Sequence, residues 1–160
     1  MIKAMLPGSF DPPTNGHMNL IERSSRIFEK LYVVIAVNES KKYFFSAEER
    51  YRLISELVTP YGNVEVKLYD DLVVNFAQQN DVKVVIRGVR ALVDFGYEFE
   101  LAMMNKELNP NIEVMLMPTD PKFFVLRSSA IKEIAAFHGN ISAMVPPVVA
   151  RALERKLHSK

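Results

Sequence analysis

The chain contains no cysteine, which excludes disulfide bonds, a thiolate nucleophile and any zinc site built on thiolates. Neither sign of charge dominates: 20 Lys and Arg stand against 19 Asp and Glu, for a net charge of +1. That balance argues against a broad nucleic-acid surface and leaves room for a locally basic pocket. No apolar run approaches the ~20 residues that cross a bilayer, and the first residues lack the pattern of a secretory signal. These absences fit a cytoplasmic protein with no membrane or nucleic-acid partner. Neither common glycine-rich phosphate motif occurs, whether G-x-G-x-x-G or G-x-x-x-x-G-K-[ST]. No repeat, linker or low-complexity stretch interrupts the 160 residues, so one domain, 1–160, is expected, long enough to bury its own core.

What the chain does have is concentrated in Gly8-Ser9-Phe10-Asp11-Pro12-Pro13-Thr14-Asn15-Gly16-His17. An apolar run, Ile2 to Leu6, leads in. Leu20, Ile21, Ser24, Ile27, Phe28 and Leu31 follow at helical spacing. The order is strand, rigid polar turn, helix. The prolines pin φ, and Gly8 and Gly16 are expected to let phosphates approach the backbone where a helix N-terminus favours an anion. One imidazole, His17, sits in that site. Asp11 reads as a turn-forming residue beside Pro12.

Leu31 to Val37, Val64 to Tyr69, Val82 to Ile86 and Ile112 to Met117 read as further strands, with Val64 to Tyr69 at an edge. Between them, Ser46-Ala-Glu-Glu49 has capping-box spacing and opens a helix. Asp70 and Asp71 are expected to cap a short helix, and another runs from about Asp94 to Leu108. Ser128-Ser129 is expected to cap a helix ending near Gly139, and Pro146-Pro147 starts the last. Five strands alternating with helices predict an α/β fold, a doubly wound, mostly parallel five-stranded sheet.

The carboxyl ends of those strands, where such sheets place ligands, collect the His17 turn, Lys41, Arg87-Gly88-Val89-Arg90 and the stretch from Phe123 to Ser129. Arg87 and Arg90 follow a buried strand and suit two guanidinium forks aimed at phosphates; Lys41 adds a mobile point charge. His138 and His158 read as helix-end cations, and the methionines as gap-fillers. No carboxylate cage for a metal is legible.

Thr14-x-Gly16-His17, preceded by Gly8-Ser9-Phe10-Asp11-Pro12, resembles the nucleotidylyltransferase signature. Ser40-Lys41-Lys42, Asp71-Leu72-Val73, Arg87-Gly88-Val89-Arg90, Asp94-Phe95-Gly96-Tyr97-Glu98 and Met104-Asn105 extend the similarity along the chain. The set resembles the bacterial phosphopantetheine adenylyltransferases, which transfer AMP from ATP to 4′-phosphopantetheine, giving dephospho-coenzyme A and pyrophosphate. The resemblance implies that Ser9, Lys41, Val73, Arg87, Met104 and Asn105 bind phosphopantetheine. It further implies that ATP is held by Ser9, Phe10, His17, Gly88, Val89, Arg90, Glu98, Phe123, Phe124, Val125, Leu126, Arg127, Ser128 and Ser129. In the expected mechanism the acceptor phosphate attacks in line, with His17, Lys41 and Arg90 as the catalytic group and His17 stabilising the transition state. Mg²⁺ is expected to ride on the ATP phosphates. A homohexamer with feedback inhibition by coenzyme A is also implied. Three departures stand out: Ser9 where threonine is frequent, Phe123 where tyrosine or tryptophan is frequent, and Arg127-Ser128-Ser129 where three small hydroxyl residues are frequent.

Overall fold

The computed structural model describes residues 1–124 and 126–158. In chain order these form β1 (Lys3–Gly8), α1 (Asn15–Ser25), β2 (Lys30–Ala36), α2 (Ala47–Val58), β3 (Val64–Tyr69), α3 (Val73–Gln79), β4 (Val84–Val89), α4 (Leu92–Leu108), β5 (Glu113–Pro118), α5 (Ser128–Ala136) and α6 (Pro147–His158). A turn of 3₁₀ helix at Pro121–Phe123 precedes α5.

All neighbouring strands are parallel, in the order β3-β2-β1-β4-β5. The expected doubly wound sheet is therefore present, with β3 at an edge. Its direction of winding reverses between β1 and β4, the position where such sheets open a ligand crevice. Alternating side chains bury both faces of the central strands. Ala4 and Leu6 of β1 join Leu20 and Ile21 of α1 and Ile54 of α2 in one core layer. Met5 faces the other way, onto Val74, Phe76 and Ala77 of α3. A third cluster ties α2 to α5 and α6 through Leu53, Ile131, Ala135, Val149 and Leu153.

The crevice has a local cause. β1 stays in register with β2 as far as Gly8↔Ile35, but with β4 only at Ala4↔Val84 and Met5↔Val85. On the β4 side the next donor would come from Pro7, which has no N–H. Its carbonyl instead accepts from Arg87 Nη1 at 3.3 Å. The two strands separate there, and a side chain fills the gap in the ladder.

Several boundaries differ from those expected. β4 runs through Arg87 and Gly88 to Val89 instead of stopping at Ile86. α4 starts at Leu92, ahead of Asp94. Leu72 caps α3, while Asp71 accepts from Leu72 N at 2.7 Å and from Asn75 Nδ2 at 2.8 Å, so the aspartate braces the turn from one residue further out. Arg127 occupies the cap position of α5; Ser128 Oγ instead donates to Pro12 O at 3.0 Å. His138 adopts φ 58° past the end of α5, and its ring stacks on His158 with centroids 3.9 Å apart.

Candidate active site

The first turn of α1 fixes the imidazole. Thr14, the N-cap, accepts at Oγ1 from His17 N (3.2 Å), and His17 Nδ1 accepts from Thr14 N (3.0 Å). This is a capping box in which histidine takes the place of the usual Glu or Gln. The backbone N–H can only donate, so Nδ1 is the acceptor nitrogen and the proton of the neutral ring lies on Nε2. Burial, followed by the Arg90 guanidinium, lowers the His17 pKa to about 4. The ring is therefore a neutral N–H donor at physiological pH. Phe10, with its ring buried and its backbone at φ 50°, meets the imidazole edge-on at 4.9 Å.

Around His17 lies a cleft of about 640 Å³ lined by Ser9, Phe10, Thr14, Gly16, Lys41, Arg87, Gly88, Arg90, Glu98, Thr119, Leu126, Arg127, Ser128 and Ser129, among others. Four of these residues are cationic, against one carboxylate. That carboxylate is engaged: Glu98 accepts from Arg87 Nε (2.6 Å) and Nη2 (3.0 Å). Arg90 is held from the same helix. Asp94 accepts from Arg90 N (3.1 Å) and Nε (3.1 Å), while Arg90 Nη1 donates to Leu126 O at 3.2 Å. Burial raises the Asp94 pKa, but its hydrogen bonds and the Arg90 charge outweigh this and hold the carboxyl below its ordinary value. Asp94 and Glu98, four residues apart on α4, thus orient the two cleft arginines.

Asp11 does more than shape its turn. Buried, it accepts from Phe44 N and Phe45 N, both at 2.8 Å, and from Lys132 Nζ at 3.3 Å. It clips the His17 turn to the loop carrying Lys41 and to α5. Lys41 itself is exposed at the cleft mouth.

Two of the cleft glycines are tightly packed. A Cβ on Gly8 would approach the Phe10 ring to 3.1 Å, and one on Gly88 would lie 2.5 Å from Leu20 Cδ1. At Gly16 the same atom would make only ordinary contacts with Thr14 Oγ1 (3.4 Å) and Phe123 Cβ (3.7 Å), so packing within the chain does not require a glycine there.

Of the residues expected at a site, the cleft gathers Ser9, Phe10, His17, Lys41, Arg87, Gly88, Arg90, Glu98, Leu126, Arg127, Ser128 and Ser129. Val73 lies outside this lining at the start of α3. Met104, 57% exposed, and half-buried Asn105 lie outside it along α4. Val89 is buried, Phe123 packs against the α5–α6 cluster, Phe124 is exposed, and Val125 lies outside the described residues. Sequence reasoning missed Thr119, just past β5, along with Lys132 and the buried Arg50, and it gave Asp94 no role beyond its motif. Thr119 had a legible signal, its place at the carboxyl end of a strand.

A parallel sheet that reverses at β1/β4, with a cationic cleft there opened by Thr14-Asn15-Gly16-His17, defines a nucleotidyltransferase fold and site. Residues 5–134 match the cytidylyltransferase-like family model. The chain belongs to the phosphopantetheine adenylyltransferase family: it is 46% identical to the enzyme of that name from Clostridium tetani over 98% of both chains. It is 40% identical to the Streptomyces coelicolor enzyme over the whole of both, and 44% identical to that of Clostridium perfringens over 96% of this chain and 93% of the relative. A crystal structure from Vibrio parahaemolyticus, provisionally named a nicotinate-nucleotide adenylyltransferase, superposes with a TM-score of 0.72 at 19% identity, covering 98% of this chain and 95% of that one. That likeness concerns the fold.

Proposed function

We propose that the chain transfers the adenylyl group of ATP to 4′-phosphopantetheine, releasing pyrophosphate and dephospho-coenzyme A. The observation that carries this reading is the cleft at the β1/β4 reversal, where a neutral imidazole N–H is surrounded by Lys41, Arg87, Arg90 and Arg127. The names of the full-length relatives supply the acceptor.

An oxygen of the acceptor phosphate attacks the α-phosphorus; the bond from that phosphorus to the bridging oxygen breaks, and pyrophosphate leaves with the electron pair. A phosphate monoester with a second pKa of about 6 is already largely dianionic, so the nucleophile needs no base. His17 suits this chemistry because its free Nε2–H donates to the oxygens on which charge grows, while Nδ1 is committed to Thr14. Arg87 and Lys41 attract the acceptor phosphate. Arg90, with Gly88, Ser128 and Ser129, faces the triphosphate, and Arg127 adds a further cation at the mouth. Among the described residues no three His, Asp or Glu converge as a metal site. A Mg²⁺ carried by the ATP phosphates and water would need no protein carboxylate cage and would supply charge neutralisation there.

α4 buries no residue completely, while Leu92 (87%), Val93 (70%) and Tyr97 (66%) stand exposed. An apolar face of this size fits contact with other copies, in keeping with a homohexamer. Coenzyme A contains pieces of both substrates and would compete for the same cleft as a feedback inhibitor. No described helix is long and apolar enough to cross a membrane; we place the reaction in the cytoplasm.

The test is to incubate the purified protein with ATP, Mg²⁺ and a panel of phosphorylated acceptors, following pyrophosphate and product mass. Selective formation of dephospho-coenzyme A supports the reading. Transfer to a different acceptor overturns the substrate, and no transfer to any acceptor overturns the activity.

A further inference from the structure

The roles above use the cations that line the cleft, but another lies beneath its floor. Arg50, in the first turns of α2, is 1% exposed. Its Nη1 donates to Ser9 O at 2.8 Å, just past β1, and to Ala36 O at 2.9 Å, the last residue of β2. The guanidinium lies over the Tyr43 ring, 3.9 Å from the centroid. Nε is buried with no hydrogen-bond partner.

No ion pair among the described residues includes Arg50. Glu48 feels its charge without pairing with it. A buried charge is ordinarily matched by an opposite one, because desolvation costs more than neutral dipoles return. Here two carbonyls and a ring face solvate the guanidinium, and neither carries a full negative charge. Ser9, whose carbonyl it grips, lines the cleft. The cleft therefore adjoins the guanidinium through Ser9 and offers a place for a compensating anion.

We propose that Arg50 is a positioning residue for polyphosphate ligands: it fixes the Ser9 backbone, and its buried, unpaired charge acquires its counter-charge when phosphates fill the cleft. This rests on the reading of the cleft as a nucleotide site. It assigns part of the affinity for phosphate to a residue that no ligand touches. Because the charge is shielded from solvent, its effect is screened less by salt than that of Lys41 at the mouth.

The test compares binding of adenosine, AMP, ADP and ATP to the wild type, Arg50→Met and Arg50→Lys by calorimetry. Methionine keeps the apolar bulk and removes the charge. The expected result for R50M is adenosine affinity within about twofold of wild type, with a loss that grows along the series to on the order of tenfold or more for ATP. The KM for ATP then rises more than kcat falls. R50K restores the ATP-to-adenosine affinity ratio to within about threefold. A merely structural arginine gives a different pattern, since a slumped Ser9 segment weakens adenosine and ATP by the same factor; that result overturns the proposal. Should R50M not fold, R50K decides on the same series: a ratio near wild type supports the proposal, and one reduced about tenfold with the charge still present overturns it. A wild-type protein that binds none of the four overturns the nucleotide reading, and this proposal with it, before any variant is made.

Discussion

Glu98 gives both of its carboxylate oxygens to one guanidinium, that of Arg87, at 2.6 and 3.0 Å, with the side chains 13% and 21% exposed respectively. A phosphate arriving at Arg87 therefore meets a bidentate competitor already in place. Arg87→Ala is expected to weaken acceptor binding on the order of tenfold and ATP binding by less than about threefold. Calorimetry with each substrate checks this, and the opposite ordering would overturn the assignment of Arg87 to the acceptor. The same substitution strands Glu98, so a stability loss of about 2 kcal/mol is expected in urea unfolding, partly recovered in the R87A/E98Q double variant.

His17→Ala removes a donor aimed at the cleft. By analogy with the loss of an oxyanion-hole donor, turnover is expected to fall on the order of 10²-fold or more while ATP affinity changes only a few-fold. Steady-state kinetics beside equilibrium binding separate the two. Equal losses in both would remove the transition-state role.

The same ring predicts a pH signature. Its folded-state pKa of about 4 lies below the ordinary 6.5, so between those values the unfolded chain binds more protons than the native one. Stability accordingly rises with pH from about 4 to 6.5 and gains nothing further from this group above that window. Denaturation midpoints for wild type and His17→Gln at pH 5 and pH 7 isolate the contribution, because the other titrating groups are common to both. A pH dependence identical in the two proteins would contradict the buried, neutral imidazole.

Gly88→Ala tests whether packing, and not phosphate approach, requires the glycine. The new methyl would sit 2.5 Å from Leu20 Cδ1, a flexible side-chain end, so a destabilisation of about 1–3 kcal/mol is expected. Shortening the neighbour with Leu20→Val in the same chain should recover part of it. Loss of ATP binding without loss of stability would support the phosphate reading instead.

Much of the architecture was legible because it rests on local signals. The apolar runs at Leu31 and Val82, the Ser46–Glu49 capping box and the Thr14–His17 motif each carry their own physics, and the sheet follows from their alternation. What stayed hidden depends on pairs distant in sequence. Asp11 holds N–H groups more than thirty residues away, and nothing around it shows that. Arg50 falls in the apolar stripe of α2 with Leu53, Ile54 and Val58, but its partners Ser9, Ala36 and Tyr43 come from outside the helix and leave no local trace. The packing at Gly88 was hidden for the same reason: what crowds it is Leu20, on another element. Capping was misjudged by one residue at Asp71 and Ser128, where hydroxyl and carboxylate side chains had other partners to reach.

α4 carries the carboxylates that orient Arg87 and Arg90, yet none of its residues is fully enclosed by this chain. Substituting Val93 and Tyr97 together by glutamate is expected to yield single chains in light scattering, with turnover per chain reduced. Full turnover in such single chains would show the helix to be sufficiently fixed by itself. In the proposed hexamer, neighbouring copies that clamp this helix would narrow the wobble of two guanidiniums from a distance, so that quaternary structure would tune catalysis without lending it an atom.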